Sequence, residues 1–297
     1  MYIIIVNSHS GRLTFREVSK QLSMNSDISF VPYFTGDYQE EELWTHAIRF
    51  IKENIPTIQG IIIVGGDGTF HQAINHLHNF EIPLGLIPTG SANDFAKALK
   101  IPSNEKKALS RIRAGNPKTY DLFKVNDEWV HSLAGMGVDA ETAIKSISSP
   151  LKKWLNRAFL GRLTYLLTFF TVIKDYKPFQ MKLTFQDGES LTYERVWLLA
   201  IGNTAYYGGG IPICPKADPQ DGKLEITIVH SLSLITLLFV LPTVFFRLHT
   251  MLPYVETMQA KALSVKTSQP VLVQADGEKA GYTPQTITIK PKSIKIF

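Results

Sequence analysis

Apolar and polar positions divide the first 125 residues into short apolar runs that alternate with segments of helical periodicity. The runs read YIIIVN (2–7), ISFVPYF (28–34), GIIIVGG (60–66) and PLGLIPTG (83–90). Helix-like segments lie at about 12–23, 39–54, 69–79 and 92–99. Runs that are apolar on both faces and separated by helices predict a parallel sheet with helices on both sides. Ligands of such sheets bind beyond the carboxyl ends of the strands, so the loops after these runs are candidate sites.

The pattern changes after about residue 120, where closely spaced strand-like runs replace the alternation of strand and helix. Asp187-Gly188 and Asp276-Gly277 are hairpin signals within these runs. Two helical segments interrupt them, at 151–176 and near 232–250. A mostly antiparallel β domain is therefore predicted to follow the α/β domain.

Composition agrees with two folded domains. The chain has 297 residues, of which 44% are hydrophobic and 19% charged, and this length suits two domains better than one. The single cysteine, Cys214, excludes an intramolecular disulfide and fits a reducing cytoplasm. The opening MYIIIVNSHSG has no basic stretch before its apolar run, so it predicts a first strand rather than a secretion signal.

Charge and hydropathy argue against nucleic acid as a partner and against a membrane-spanning helix. The formal net charge of +5 is mild, and no basic run is interleaved with aromatic residues, so nucleic acid is not a predicted partner. The longest uncharged stretch, SLSLITLLFVLPTVFF (231–246), is shorter than the roughly 20 apolar residues of a spanning helix and contains Pro242. It predicts a core helix or a helix that docks on a surface.

The stretch GGDGT has the form of an anion-binding loop. Gly65 and Gly66 end the third apolar run, Gly68 allows a positive φ angle, and Thr69 opens a helix, so backbone N–H groups converge on one point. Asp67 would repel a bare phosphate. It becomes useful beside a magnesium ion on the phosphates, or beside a hydroxyl that must lose its proton. A structural role, shaping the turn or capping the helix, is the alternative.

The segment LGLIPTGSANDFAKAL (84–99) repeats the order of strand, glycine-bearing loop and helix. The Ser91 hydroxyl and the Gly90 backbone can donate to phosphate oxygens, and Asn93 stands at the start of the helix. A well-capped turn without a ligand is the alternative. A third polar loop, NSHSGR (7–12), follows the first run, and three such loops at one sheet edge favour a polyphosphate ligand.

Two further turns carry paired acids. Asp218 and Asp221 precede a strand, and two carboxylates three residues apart can hold a hard cation such as magnesium; a solvated turn is the alternative. Asp276 and Glu278 flank a glycine between apolar strands. The same Asp-Gly-Glu occurs in FQDGESL (185–191), so the tripeptide by itself indicates only a hairpin.

Together these segments resemble the diacylglycerol kinase / sphingosine kinase superfamily, in particular its bacterial soluble lipid kinases. The resemblance covers nearly the whole chain, and the motifs follow the family's order and approximate spacing. They are GGDGT (65–69), PLGLIPTGSANDFAKAL (83–99), YDLFKVN (120–126), AIGNTAYYGGGIPICPKADPQDGKLEI (200–226) and VQADGEKAG (273–281). The first motif is shared with NAD kinases, whereas the combination is far more specific.

The resemblance implies both a fold and a reaction. The implied fold is a Rossmann-like three-layer α/β domain (1–125), completed by the C-terminal segment 283–297, and an antiparallel β-sandwich domain (126–282) that binds lipid, with the ATP cleft between them. The implied reaction is ATP- and magnesium-dependent transfer of the γ-phosphate to the hydroxyl of a membrane lipid, most simply diacylglycerol giving phosphatidate. Such a protein would be cytoplasmic and peripherally attached to the membrane.

The resemblance also implies roles for individual residues. The ATP contacts would be Asn7, Ser10, Gly11, Arg12, Thr35, Gly65, Gly66, Asp67, Gly68, Thr69, Ser91 and Asn93. Asp218, Asp221 and the backbone carbonyl of Lys223 match the family's magnesium site, with Asp121 behind them. Glu278 matches the residue usually assigned as proton acceptor, and Asp276 and Asp67 are the other candidate bases.

Three positions depart from the family pattern. Ser8 replaces a proline in the first loop, Gln72 replaces a glutamate three residues after Thr69, and Ser91 replaces a threonine. None removes an obviously essential group. The loss of one carboxylate at Gln72 is expected to weaken metal binding or to alter the rate.

The sequence indicates the residues that would contact a membrane less specifically. Residues 151–176 combine basic side chains, including Lys152 and Arg157, with apolar ones, including Trp154, and such a helix can lie on an anionic membrane surface. A helix packed on the β domain is the alternative. A homodimer is the default assembly. The alternative functions are an NAD kinase-like enzyme and a non-catalytic regulator that binds nucleotide or lipid.

Overall fold

The computed structural model describes residues 1–7, 30–34, 40–147 and 161–297. The chain forms two compact units. The first unit comprises Met1–Tyr120 and Lys292–Phe297, and the second comprises Asp121–Pro291. The helix predicted near 12–23 and residues 151–160 of the basic segment expected at a membrane surface lie outside the described residues.

The first unit is built on a parallel sheet. Its strands are β1 (Tyr2–Val6), β2 (Phe30–Phe34), β3 (Gly60–Gly65), β4 (Leu84–Pro88) and the end of β15 (Gln285–Ile296). They lie in the order β2, β1, β3, β4, β15, and every neighbouring pair is parallel. β1, β3 and β4 are buried along their whole length, because helices that cover both faces of a parallel sheet favour continuous apolar runs. The predicted parallel sheet is confirmed.

Helices connect these strands. They are α1 (Glu40–Asn54), α2 (Asp67–Leu77), α3 (Asp94–Ala98) and α4 (Glu105–Arg113). α1 buries Leu43, Ala47 and Ile51, which are four residues apart and form one helical face. α4 was not among the predicted helices. It begins at a cap, where the Asn104 side chain accepts the N–H of Lys107.

The second unit is mostly antiparallel. Its strands are β5 (Lys118–Val125), β6 (Glu128–Val130), β7 (Leu133–Gly137), β8 (Phe179–Phe185), β9 (Ser190–Gly202), β10 (Leu224–His230), β11 (Val255–Ala260), β12 (Ala262–Thr267), β13 (Leu272–Ala275), β14 (Glu278–Tyr282) and the start of β15. β9 pairs with β7, β8 and β10, and β12 pairs with β8 and β15. β10 pairs with β11, and β13 with β7 and β14. All of these pairs are antiparallel, as predicted.

Both faces of this sheet are apolar at β9. Leu199 and Ile201 belong to one buried cluster, whereas Leu198 and Ala200 belong to another, which also contains Trp197. Alternate residues of a strand point to opposite faces, so the run VWLLAIG is apolar throughout because each face meets its own core.

Helices cover the second of these clusters. The described helices of the second unit are α5 (Val138–Ile147), α6 (Gly161–Ile173) and α7 (Leu234–Phe245). Both α6 and α7 supply buried side chains to the cluster that contains Trp197. α7 begins where the Ser233 side chain accepts the N–H of Thr236, and it retains Pro242 in its last turns. Among the described helices, none has both the length and the apolar character needed to cross a bilayer.

Candidate functional site

The loop after β3 passes directly into α2. Gly66 is the N-cap residue, with φ −103° and ψ −169°, and α2 begins at Asp67. A Cβ atom on Gly65 would lie 2.6 Å from the side chain of Thr69, so the loop has room only for glycine there. Gly68 needs no positive φ, because α2 starts two residues earlier than predicted and Gly68 lies in its first turn. The first backbone N–H groups of α2, which have no carbonyl partner within the helix, therefore lie at this loop.

The loop after β4 lies against the loop after β3. The N–H of Thr89 donates to the carbonyl of Gly65 at 2.9 Å. A Cβ atom on Gly90 would approach the Cα atom of Gly66 to 2.6 Å, so the two backbones touch at a pair of glycines. Both loops follow parallel strands at their carboxyl ends, as the sequence predicted. Together they form a narrow backbone cradle at one edge of the sheet.

Asp67 links these loops through its side chain. Its Oδ2 accepts the N–H of Asp94 at 3.0 Å, and its Oδ1 accepts the N–H of Phe95 at 3.1 Å. The carboxylate therefore caps α3, the helix that follows the other glycine loop, rather than its own helix. Two backbone N–H dipoles offset part of the negative charge, which explains how an aspartate is stable within a cradle of anion-binding form.

Asn93 shapes the second loop. It has a positive φ of 53°, and its Nδ2 donates to the carbonyl of Gly90 at 2.7 Å. Its Oδ1 is buried and has no hydrogen-bond partner among the described residues. A buried acceptor of this kind favours a donor from a ligand or water. Ser91, two residues earlier, is exposed at the surface of the same loop.

The loop after β1 contacts the start of α2 through Asn7. The Asn7 Nδ2 donates to Oγ1 of Thr69 at 2.8 Å, and the Asn7 N–H donates to the carbonyl of Val64 at 2.9 Å. Three strand ends thus converge within the first unit. Four of the expected ATP contacts lie outside the described residues, namely Ser10, Gly11, Arg12 and Thr35.

In the second unit, Asp276 lies at the tip of the β13–β14 hairpin with a positive φ of 50°. Its carboxylate accepts three backbone N–H groups, from His131 at 2.9 Å, Ser132 at 2.8 Å and Leu133 at 3.1 Å. Its Oδ2 also lies 3.3 Å from Nε2 of His131, and both side chains are almost fully buried. Asp276 therefore holds the hairpin to the segment before β7. Glu278, two residues later, is exposed.

The second Asp-Gly-Glu, at Asp187, provides an internal comparison. It is also a hairpin tip, between β8 and β9, and Gly188 has a positive φ of 89°. The Asp187 carboxylate is exposed and accepts only the N–H of Glu189 among the described residues, at 3.0 Å. The same tripeptide thus occupies two different environments, and the difference arises from what packs against each tip.

The turn after residue 217 presents its two acids to solvent. Oδ1 of Asp218 accepts the N–H of Gln220 at 3.0 Å, and Oδ1 of Asp221 accepts the N–H of Lys223 at 2.9 Å. Oδ2 of Asp121 accepts the N–H of Gly222 at 2.7 Å, and the Asp121 N–H donates to the carbonyl of Pro219. Asp121 is buried and fixes the turn from behind.

Two buried residues, which the sequence analysis did not identify, hold the acidic turn and the strands beside it in place. Asn203, at the end of β9, donates through Nδ2 to the carbonyls of Asp121 and His131, both at 2.8 Å. Oε2 of Glu225 accepts the N–H of Lys216 at 2.6 Å, just before the acidic turn. Burial raises the pKa of the Glu225 carboxyl above its usual value, and the backbone N–H groups of Lys216 and Ala217 oppose this shift.

Comparison with known proteins gives matches along the whole chain. Residues 1–125 match the model of the diacylglycerol kinase catalytic domain, and residues 132–297 match the YegS C-terminal NAD kinase beta sandwich-like domain. "Diacylglycerol kinase" of Mycobacterium tuberculosis is 31% identical over 243 residues, 80% of this chain and 76% of that protein. "Putative lipid kinase YtlR" of Bacillus subtilis is 26% identical over 296 residues, 97% and 94% of the two chains.

Solved structures have the same fold. A diacylglycerol kinase structure from Bacillus anthracis matches with a TM-score of 0.70 at 21% identity, covering 99% of this chain and 95% of that one. Another structure from the same organism reaches a TM-score of 0.76 at 24% identity, covering 99% and 96%. These matches confirm the predicted α/β domain followed by a β-sandwich.

Proposed function

Because the chain belongs to the diacylglycerol kinase family and is a lipid kinase, we propose that it transfers the γ-phosphate of ATP to the hydroxyl of a membrane lipid. The proposed acceptor is diacylglycerol and the product phosphatidate. The observation that carries this proposal is the convergence of the loops after β1, β3 and β4 around Asn7, Gly66 and Gly90.

The cradle suits the phosphates of ATP in shape and in charge. Gly66 and Gly90 let the backbones of the two loops touch, which brings both loops to one place, and the N-terminus of α2 favours negative charge there. The buried Oδ1 of Asn93 is an acceptor that a ribose hydroxyl or an ordered water would satisfy. Ser10, Gly11, Arg12 and Thr35 remain proposed contacts of the same nucleotide, and Ser91 offers a hydroxyl from the second loop.

Asp67 acts in this proposal by positioning. Its two oxygens already accept the N–H groups of Asp94 and Phe95, so its charge holds α3 and the second loop against the first. Phosphoryl transfer depends mainly on alignment and charge neutralisation, so a brace between two phosphate loops contributes directly to the rate.

Kinases of this family use ATP with a divalent metal, and we assign magnesium to the turn of Asp218 and Asp221. Each carboxylate uses Oδ1 to shape the turn, and both residues face solvent. Together with the Lys223 carbonyl they would form a set of oxygen ligands, which suits a hard cation. When bound, magnesium would neutralise charge on the phosphates. Asp121 keeps the turn in shape from the buried side.

The choice of proton acceptor falls on Glu278. Asp276 accepts three backbone N–H groups and lies beside His131, so its lone pairs are engaged in holding the hairpin. Glu278 begins β14 and its side chain is exposed, which leaves it accessible to a substrate hydroxyl. Asp276 thereby positions the residue that takes the proton.

The test is transfer of labelled γ-phosphate from ATP with magnesium to a panel of lipids in mixed micelles, with NAD offered in parallel. The panel contains diacylglycerol, phosphatidylglycerol, a long-chain base and an isoprenoid alcohol. Label in diacylglycerol supports the proposal, and label in another lipid replaces the proposed acceptor. Label only in NAD indicates the NAD kinase-like alternative, and label in none indicates the non-catalytic regulator.

A further inference from the structure

One side of α7 and the turn after it exposes a continuous group of apolar side chains, called here the α7 face. Four of its members have more than two thirds of their surface exposed: Ile235 (70%), Phe239 (74%), Phe246 (74%) and Met251 (80%). Leu234, Leu238, Phe245, Leu248 and Tyr254 are exposed to a smaller extent around them. Large exposed apolar patches mark interaction sites, and these nine side chains lie on one helix and the turn that follows it.

The face follows from helical periodicity rather than from irregular packing. Leu237, Val240 and Val244 point into the buried cluster that contains Trp197, whereas Ile235 and Phe239, four residues apart, point away from it. The helix is therefore apolar on both sides, and among the described residues one side has a core to pack on. A helix that is apolar all round needs an apolar medium on each side.

Charge around the face points to an anionic lipid surface. No Asp or Glu occurs from Ser231 to Val255. A guanidinium is held near each end of α7: Arg195 donates to the carbonyl of Leu232 at 3.1 Å, and Arg247 donates to the Tyr206 hydroxyl at 2.7 Å. The next carboxylate, Glu256, accepts the hydroxyl of Tyr193 and faces His230. Apolar side chains bordered by cations are the pattern of helices that lie in a membrane interface.

We propose that the α7 face docks in the plane of an anionic bilayer, with Ile235, Phe239 and Phe246 among the acyl chains and Arg195 and Arg247 at the phosphate groups. The inference rests on the proposed function, since a lipid kinase without a spanning helix among its described residues must reach a substrate held in the bilayer. A second copy of the chain is the competing occupant of the face.

The test compares the parent chain with the double variant Ile235→Ser, Phe239→Ser. Binding is measured by flotation with vesicles of equal parts phosphatidylcholine and phosphatidylglycerol. We expect binding to weaken at least tenfold, because the two side chains no longer remove roughly 200 Å² of apolar surface from water. Ile55→Ser is the matched control, since Ile55 is 44% exposed in the first unit, and it should bind as the parent does.

Charge is tested separately with Arg247→Gln. Its binding to the same anionic vesicles should weaken about fivefold, the effect of one basic side chain near an anionic surface. Vesicles of phosphatidylcholine alone should show no difference from the parent. Equal binding of the parent and the double variant would overturn the proposal. So would a parent dimer that the double variant converts to a monomer, because the face would then be a self-interface.

A kinase assay separates this inference from the proposed function. On a short-chain, water-soluble diacylglycerol, the double variant should retain the parent's rate, because the face is used only for docking. On diacylglycerol embedded in vesicles its rate should fall at least tenfold. A parent that binds vesicles through this face but phosphorylates no lipid would refute the function alone. A parent that phosphorylates the soluble lipid but does not bind vesicles would refute the docking alone.

Discussion

The carboxylate of Asp67 caps the helix that begins at Asp94, 27 residues further along the chain. Its second oxygen accepts the next N–H, that of Phe95. One side chain thus joins the loop after β3 to the loop after β4, and the backbones of Gly66 and Gly90 complete the contact. This relation makes the geometry of the proposed phosphate cradle depend on a single charged group.

Asp67→Ala should therefore affect both activity and stability. We expect kcat to fall about 100-fold or more, because the two loops lose their alignment. We also expect Tm to fall by about 2–4 °C, because a helix cap contributes roughly 1 kcal/mol. Asn104→Ala is the control, since it removes the cap of α4 without touching these loops. Both quantities come from a transfer assay and a thermal melt, and unchanged turnover in Asp67→Ala would contradict the role given to this residue.

Gly90→Ala tests the contact between the two loops. Its Cβ atom would lie 2.6 Å from the Cα atom of Gly66, so the backbones must separate. We expect KM for ATP to rise at least tenfold. Gly188→Ala is the control, because Gly188 has open space around it but a positive φ, so it bears backbone strain without a clash. The control should lower Tm by a few degrees at the β8–β9 tip and leave KM for ATP unchanged.

Asp218→Ala tests the proposed magnesium turn. The magnesium concentration for half-maximal activity should rise at least tenfold, because one of two carboxylate ligands is lost. Magnesium should raise the Tm of the parent but not that of the variant. Asp187→Ala is a close control, since Asp187 is an exposed aspartate that accepts a backbone N–H two residues ahead, as Asp218 does. A parent Tm that is indifferent to magnesium would count against the site.

The parallel sheet and its loops were predictable because local pattern carries them. An isoleucine run buried on both faces, as in β1 and β3, favours the middle of a covered sheet, and the helices between the runs favour a parallel one. The strand-to-helix order then puts Gly66 and Gly90 at the same edge. The start of α2 was misplaced by two residues, because glycine in GGDGT predicted a turn where the helix already begins.

The contacts that give each acid its role were not predictable from the sequence. Asp67 and Asp276 are both held by backbone N–H groups, and every non-proline residue offers one. Asp276 meets His131 from a distance of 145 residues along the chain. Asp187 and Asp276 are both followed by Gly-Glu, and the segment packed against each tip distinguishes the exposed acid from the buried one.

Glu225→Gln should show, in the pH dependence of Tm, how much the buried carboxylate destabilises the fold. Burial raises the pKa of Glu225 in the folded state above its unfolded value of 4.5, so the folded state loses stability as pH rises from that value through the folded pKa. The glutamine keeps an oxygen for the N–H of Lys216 but carries no charge. Its Tm should exceed that of the parent by a few degrees at pH 8, and the gap should close below pH 4.5. A gap that is constant with pH would exclude the charge as its cause.

Asp276→Asn and Glu278→Gln should separate positioning from proton transfer. Asp276→Asn turns an NH₂ group toward backbone N–H donors of residues 131–133, and each donor left unsatisfied costs about 1–3 kcal/mol, so Tm should fall by several degrees. Glu278 is exposed, so Glu278→Gln should leave Tm unchanged while kcat falls on the order of 100-fold or more. Melting curves and initial rates on one lipid decide between them. If Glu278→Gln keeps full activity while a thermally intact Asp276→Asn loses it, the proton acceptor is Asp276, and its three backbone contacts serve to orient a base.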